Sequence, residues 1–204
     1  MLPKIAGTKA TAADAVKPHI PIDRTMILLA FTFAAGWTVT GAMAAHMPRI
    51  LEAGGATAVQ AVAAGALFGP AQVFARILEA TFLKRYHPLV STRLACLTHP
   101  IGAAIFVVFG GATSGLFAIF FGLGNGILTI ARGTLPLSMF GPTDYGYRLG
   151  LVGAPARMAQ AAAPLAFGLL IDRMGIWVLI VSSALSLSAL AALCLLSPKK
   201  VSST

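Results

Sequence analysis

From Leu94 to Ala131 the chain carries no Asp, Glu, Lys or Arg. Built as one helix at 1.5 Å per residue, this run would be about 57 Å long. A bilayer's hydrocarbon core is only about 30 Å thick. Gly110-Gly111 falls inside the run and is the natural turn. The stretch therefore reads as two apolar helices folded back on each other, and lipid is the solvent that such a hairpin requires.

The rest of the chain agrees. Its 204 residues are 57% hydrophobic and 10% charged, with a mean hydropathy of +0.85. A soluble domain carries about 25% charged residues, so too little polar surface exists to coat a water-soluble globule. Helices are the expected spanning form, because each backbone N–H and C=O must find a partner within its own segment. A barrel would need short segments of alternating polarity, and these runs do not alternate. The fold class expected is an all-α membrane protein.

The formal charge of +9 would suit nucleic acid. The basic residues instead sit between apolar runs, so no nucleic-acid partner is expected. Cys96 and Cys194 lie in hydrophobic stretches without metal-ligand spacing and read as ordinary buried thiols. No metal or cofactor is expected. Residues 1–24 are polar and turn-rich, unlike a cleavable signal peptide.

Charged residues and helix breakers delimit six spans, near 26–47, 57–83, 89–109, 112–135, 145–171 and 175–196. Pro48 closes the first, and Pro136 with Gly141-Pro142 breaks the chain after the fourth. Together they make one bundle over 25–197, with a linker-like segment at 1–24 and a tail at 198–204. Placing both termini in the cytoplasm gives that side Lys4, Lys9, Lys17, Arg24, Lys84, Arg85, Arg93, Arg148, Lys199 and Lys200. The other side receives Arg49 and Arg173. The positive-inside rule therefore selects this orientation, in a cell (inner) membrane.

Three patches resemble the major facilitator superfamily of transporters. Gly69-Pro70-Ala71-Gln72-Val73-Phe74-Ala75-Arg76-Ile77-Leu78-Glu79, followed by Lys84-Arg85, is similar to the motif between that family's eighth and ninth helices. Glu79 stands where the family usually has Asp, and Ala75 replaces a glycine. Arg132-Gly133-Thr134-Leu135-Pro136-Leu137 with Phe140-Gly141-Pro142 resembles the tenth-to-eleventh connection. Pro164-Leu165-Ala166-Phe167-Gly168, then Asp172-Arg173-Met174-Gly175, resembles the last hairpin. The resemblance covers the C-terminal six-helix half of a bacterial member. It implies a secondary transporter, or its C-terminal half, with a separate N-terminal half or a second copy supplying the missing wall.

Polar residues inside spans are costly and usually face a cavity or a partner. Gln72, Arg76 and Glu79 share a helix face, and with Arg132 they are candidates for a cytoplasmic gate. A local Arg76–Glu79 ion pair would explain two of them without a gate, and Arg132 could simply snorkel to headgroups. Trp37, Asn125, Thr129, Arg157 and Gln160 are candidates for the substrate pathway. The bland alternatives are a packed aromatic for Trp37, an interhelical hydrogen bond for Asn125 and an Arg157–Glu79 pair. Arg76, Arg132 and Arg157 outnumber the single intramembrane carboxylate, which favours a small organic anion as substrate. His46 and His99 are candidates for a proton relay, against a plainer role as hydrogen-bonding groups. Three GxxxG pairs, Gly65/Gly69, Gly122/Gly126 and Gly146/Gly150, read as close helix packing.

Two other functions compete. A non-transporting accessory subunit, or an inactive truncated transporter, would have the same composition. An intramembrane enzyme fits less well: HExxH is absent, Ala112-Thr113-Ser114-Gly115 departs from GxSG, and no acid pair lies within the spans.

Overall fold

A computed structural model describes residues 20–197, so Lys4, Lys9, Lys17, Lys199 and Lys200, with most of the linker-like 1–24 segment and the 198–204 tail, lie outside the described residues. The described residues are helical almost throughout, with no strand. The helices are α1 (Arg24–Ala53), α2 (Ala58–Thr81), α3 (Pro88–Phe109), α4 (Ser114–Phe140), α5 (Tyr145–Met174) and α6 (Val178–Cys194). Short 3-10 turns at Leu83–Arg85, Gly110–Thr113 and Gly175–Trp177 join them. Four continuous helical stretches, Arg24–Ala53, Ala58–Arg85, Pro88–Phe140 and Tyr145–Cys194, are long and apolar enough to cross a membrane. These are the features of an all-α, multi-pass membrane protein.

Local chemistry sets the boundaries. Asp23 caps α1 by accepting from the Met26 amide at 2.8 Å. Thr57 and Gln60 form a reciprocal capping box at the start of α2. Gly110, at φ 68°, reverses the chain inside the long uncharged run, and Gly141, at φ 75°, stops α4. These are backbone angles that side-chain-bearing residues resist.

Two boundaries expected from proline are wrong. The first helix runs through Pro48 to Ala53, and the fourth through Pro136 to Phe140. Proline is tolerated in membrane helices where neighbours satisfy the backbone groups it frees. Beside Pro136, the Gly133 carbonyl accepts from the Tyr145 hydroxyl at 3.0 Å.

The core lies in two layers. One gathers the end of α1 (Met43, Ile50), the start of α2 (Ala61), the end of α3 (Phe106), the start of α4 (Phe117), the end of α5 (Phe167) and the start of α6 (Leu179). The other gathers the opposite ends, including Leu29, Leu89, Leu135, Val152 and Leu193. Successive helices therefore run in alternating directions. Large apolar side chains cover the outside, among them Val59, Val62, Phe74, Val108, Met158 and Leu165.

The helix pairings have an internal symmetry. The most extensive contacts join α1 to α5 and α2 to α4, followed by α3 to α4, α1 to α6 and α3 to α6. Exchanging the first three helices for the last three carries α1–α5 into α4–α2 and α1–α6 into α4–α3, and leaves α3–α6 unchanged. Each half contains three alternating helices, so the halves run in opposite senses. The sequence reading did not detect this repeat.

The glycine pairs divide. A Cβ at Gly126 would lie 2.6 Å from the Gln72 carbonyl, and one at Gly122 2.8 Å from Ala71, so this pair does join α4 closely to α2. Gly65, Gly69, Gly146 and Gly150 face open space. Cys96 is buried as expected, whereas Cys194 is exposed.

Candidate functional site

The polar residues of α4 meet those of α1. Thr40 shares its hydroxyl proton between its own helix, at the Gly36 carbonyl (3.0 Å), and Asn125 Oδ1 on α4 (2.8 Å). Thr40 carried no signal in the sequence, because a lone helical Thr ordinarily bonds within its own turn. Thr129 is exposed and donates to the Asn125 backbone carbonyl at 2.7 Å. One turn further along, the Arg132 guanidinium lies over the Trp37 ring, 4.5 Å from its centroid.

That contact corrects two expectations. Arg132 lies against Trp37 and makes no hydrogen bond or ion pair with the gate candidates of α2 among the described residues. It belongs with Trp37, which is more than a packed aromatic. Both are half-buried. A cation on an indole face is worth about 0.5–2 kcal/mol.

On the other flank of α1, Gln160 of α5 packs beside Gly41, where a Cβ would lie 2.7 Å from the Gln160 carbonyl. Pro164 lacks the N–H that would bond that carbonyl. Arg157, one turn from Gln160, is exposed and has no carboxylate partner among the described residues. Trp37, Asn125, Thr129 and Arg132 thus form one patch across α1 and α4, Gln160 of α5 flanks α1 at Gly41, and Arg157 lies one turn from Gln160.

Behind the patch lies a small cavity lined by Thr40, Asn125, Thr98, His99 and Ser186, with room for about one water molecule. His99 is buried there, its Nε2 2.9 Å from the Ser182 hydroxyl and its ring edge-on to Phe117 and Phe121. Ser182 also donates to the Leu179 carbonyl at 3.1 Å. His46 is half-buried elsewhere and donates from Nε2 to the Pro164 carbonyl at 2.8 Å. Among the described residues no hydrogen bond connects the two histidines, and each has its own local partner.

The α2 candidates separate. Arg76 is exposed and Gln72 half-buried, while Glu79 is buried. Glu79 Oε1 accepts from Ser91 of α3 at 2.9 Å, and Oε2 has no partner. Neither the Arg76–Glu79 pair nor the Arg157–Glu79 pair forms. The physical reason is that Glu79 turns toward α3, away from both guanidiniums. Ser91, three residues into α3, is the neighbour that sequence reasoning missed.

The same end of the bundle contains two further devices. Arg93 donates to the Leu193 and Leu196 carbonyls, at 2.9 and 2.8 Å, and so caps the end of α6. His87 caps α3, its Nδ1 accepting from the Leu89 amide at 3.2 Å. Burial, with the nearby Arg93 charge adding to it, holds the His87 imidazole below its ordinary value of 6.5. At the opposite end, Arg49 of α1 pairs with Asp172 of α5. This is the one carboxylate–cation pair among the described residues, and both side chains are exposed.

Among the described residues no group of three or more His, Cys, Asp or Glu side chains is placed to hold a metal ion. No protein-family model matches the chain, and no curated protein is significantly similar to it.

Proposed function

We propose that the chain crosses the membrane six times with both ends in the cytoplasm, and forms one half of a secondary transporter of the major facilitator type. It moves a small solute by alternating access. The observation that carries the reading is the exchange symmetry of the helix pairings, which joins two oppositely directed three-helix units. Carriers of this kind nest such inverted repeats within each six-helix half and keep their site near the bilayer midplane.

The pathway candidates on α4, α1 and α5 support the same reading. Thr129 and Arg157 are open, and Trp37, Asn125, Arg132 and Gln160 are only half-buried. By helix rise, Arg157 lies about 18 Å from the start of α5 and Arg132 about 12 Å from the end of α4, within the apolar depth of the bundle. Unpaired cations at that depth favour a small organic anion. The other wall of the pathway comes from a separate N-terminal half or from a second copy.

Counterflow of radiolabelled solutes into membrane vesicles tests the proposal. Vesicles from cells overproducing the chain should exchange at least one small solute saturably, and Asn125→Leu should abolish the exchange. No solute moving above the empty-vesicle background, from a chain assembled beyond the monomer, would overturn it.

A further inference from the structure

We propose that Arg132, lying over Trp37, is the seat for a carboxylate, and that Asn125 receives a second oxygen of the same organic acid. The inference rests on the pathway reading above and names the ligand class. The Trp37 ring lies against the Arg132 guanidinium, whose carbon is 4.5 Å from the ring centroid, and the indole offers no oxygen to take up the N–H donors. Those donors make no hydrogen bond and no ion pair among the described residues. Their fork matches the two oxygens of a carboxylate. Trp37 holds the guanidinium in place before any ligand arrives, so less rotamer freedom is lost on binding.

Asn125 is oriented in a similar way. Its Oδ1 is taken by Thr40, so the amide Nδ2 is the donor left over. Helical side chains lean toward the N-terminus of their helix, which tilts Arg132 back toward Thr129 and Asn125. The two positions are two turns apart, about 10 Å along the axis before that tilt is taken up. One carboxylate cannot fill both. A small acid with a second acceptor, such as a dicarboxylate or a hydroxy acid, can. A neutral solute would leave the guanidinium unpaired, and an inorganic halide would leave the Asn125 donor unused.

Trp37 supplies the readout. The chain has two tryptophans, so Trp177→Phe makes Trp37 the sole emitter. This variant, in phosphatidylcholine nanodiscs at constant ionic strength, is titrated with succinate, propionate and chloride. Succinate should give a saturable change in emission, propionate a weaker one and chloride none. Arg132→Gln should weaken succinate binding about tenfold or more. Asn125→Leu should bring succinate down to the level of propionate. Arg132→Lys, which keeps the charge but loses the fork, should bind several-fold more weakly and covers the case in which Arg132→Gln fails to fold. A response that does not saturate, that chloride shares, or that survives Arg132→Lys at full strength overturns the seat. Saturable binding without counterflow would refute the carrier and leave the seat. Counterflow indifferent to Arg132 would refute the seat and leave the carrier.

Discussion

The Thr40 hydroxyl lies 2.8 Å from Asn125 Oδ1, and this contact ties α1 to α4 between the two core layers. An interhelical hydrogen bond in a membrane bundle is worth about 0.6 kcal/mol. Thr40→Val should therefore lower stability by about that amount, measured by denaturation in mixed detergent. Asn125→Leu should cost a similar amount of stability but abolish solute exchange, because in the proposed pathway its amide donor serves the ligand. Equal losses of exchange in both variants would mark Asn125 as structural only.

Glu79 is a buried carboxylate bonded to a serine instead of a cation. Glu79→Gln keeps an acceptor for Ser91 and removes a charge without an ion partner, so stability should be unchanged or raised. Ser91→Ala should lower it by about 1 kcal/mol, since Glu79 then loses its one donor among the described residues. The same unfolding assay measures both.

The two kinds of glycine give opposite results. Gly126→Val should destabilise the bundle by about 1–3 kcal/mol, because a Cβ there meets the α2 backbone and Ala75. Gly65→Val should change stability by less than about 0.5 kcal/mol, since nothing lies within 4 Å of its Cβ position. Thermal unfolding followed by circular dichroism separates them.

The His87 imidazole titrates below 6.5 in the folded chain. The unfolded state therefore binds this proton more readily, and the contribution of neutral His87 is complete above that value. It is lost as pH falls through the lowered folded value, when Nδ1 can no longer accept from Leu89. His87→Asn keeps a helix cap that does not titrate. Between about pH 7 and about pH 5, the Tm of the variant should fall less than that of the wild type.

Much of the fold was legible because lipid imposes simple rules. The uncharged run with Gly110 inside it announced a hairpin, the charged turn at Lys84-Arg85 marked a real reversal, and Asp172-Arg173 stands at the end of α5 just before the reversal at Gly175–Trp177. Pro48 and Pro136 misled, since proline is costly in isolated helices but tolerated in a packed membrane bundle, where neighbours can satisfy the backbone groups it frees. The site was legible only as a set of residue types. Asn125, Thr129 and Arg132 share a helix face, which the sequence dictates. That Arg132 would rest on Trp37, and Glu79 on Ser91, depends on which helices become neighbours. Serine and threonine partners also leave no mark, being common throughout the spans.

The alternating course of the chain is tested most directly by single cysteines in a background lacking Cys96 and Cys194. Suitable exposed positions are Glu52, Lys84, Ala112, Thr143 and Arg173, each next to a different turn. An impermeant maleimide applied to intact cells should label positions 52, 112 and 173, and should reach 84 and 143 only after permeabilisation. Labelling of 84 or 143 from outside, or of all five from one side, would contradict the six-crossing bundle.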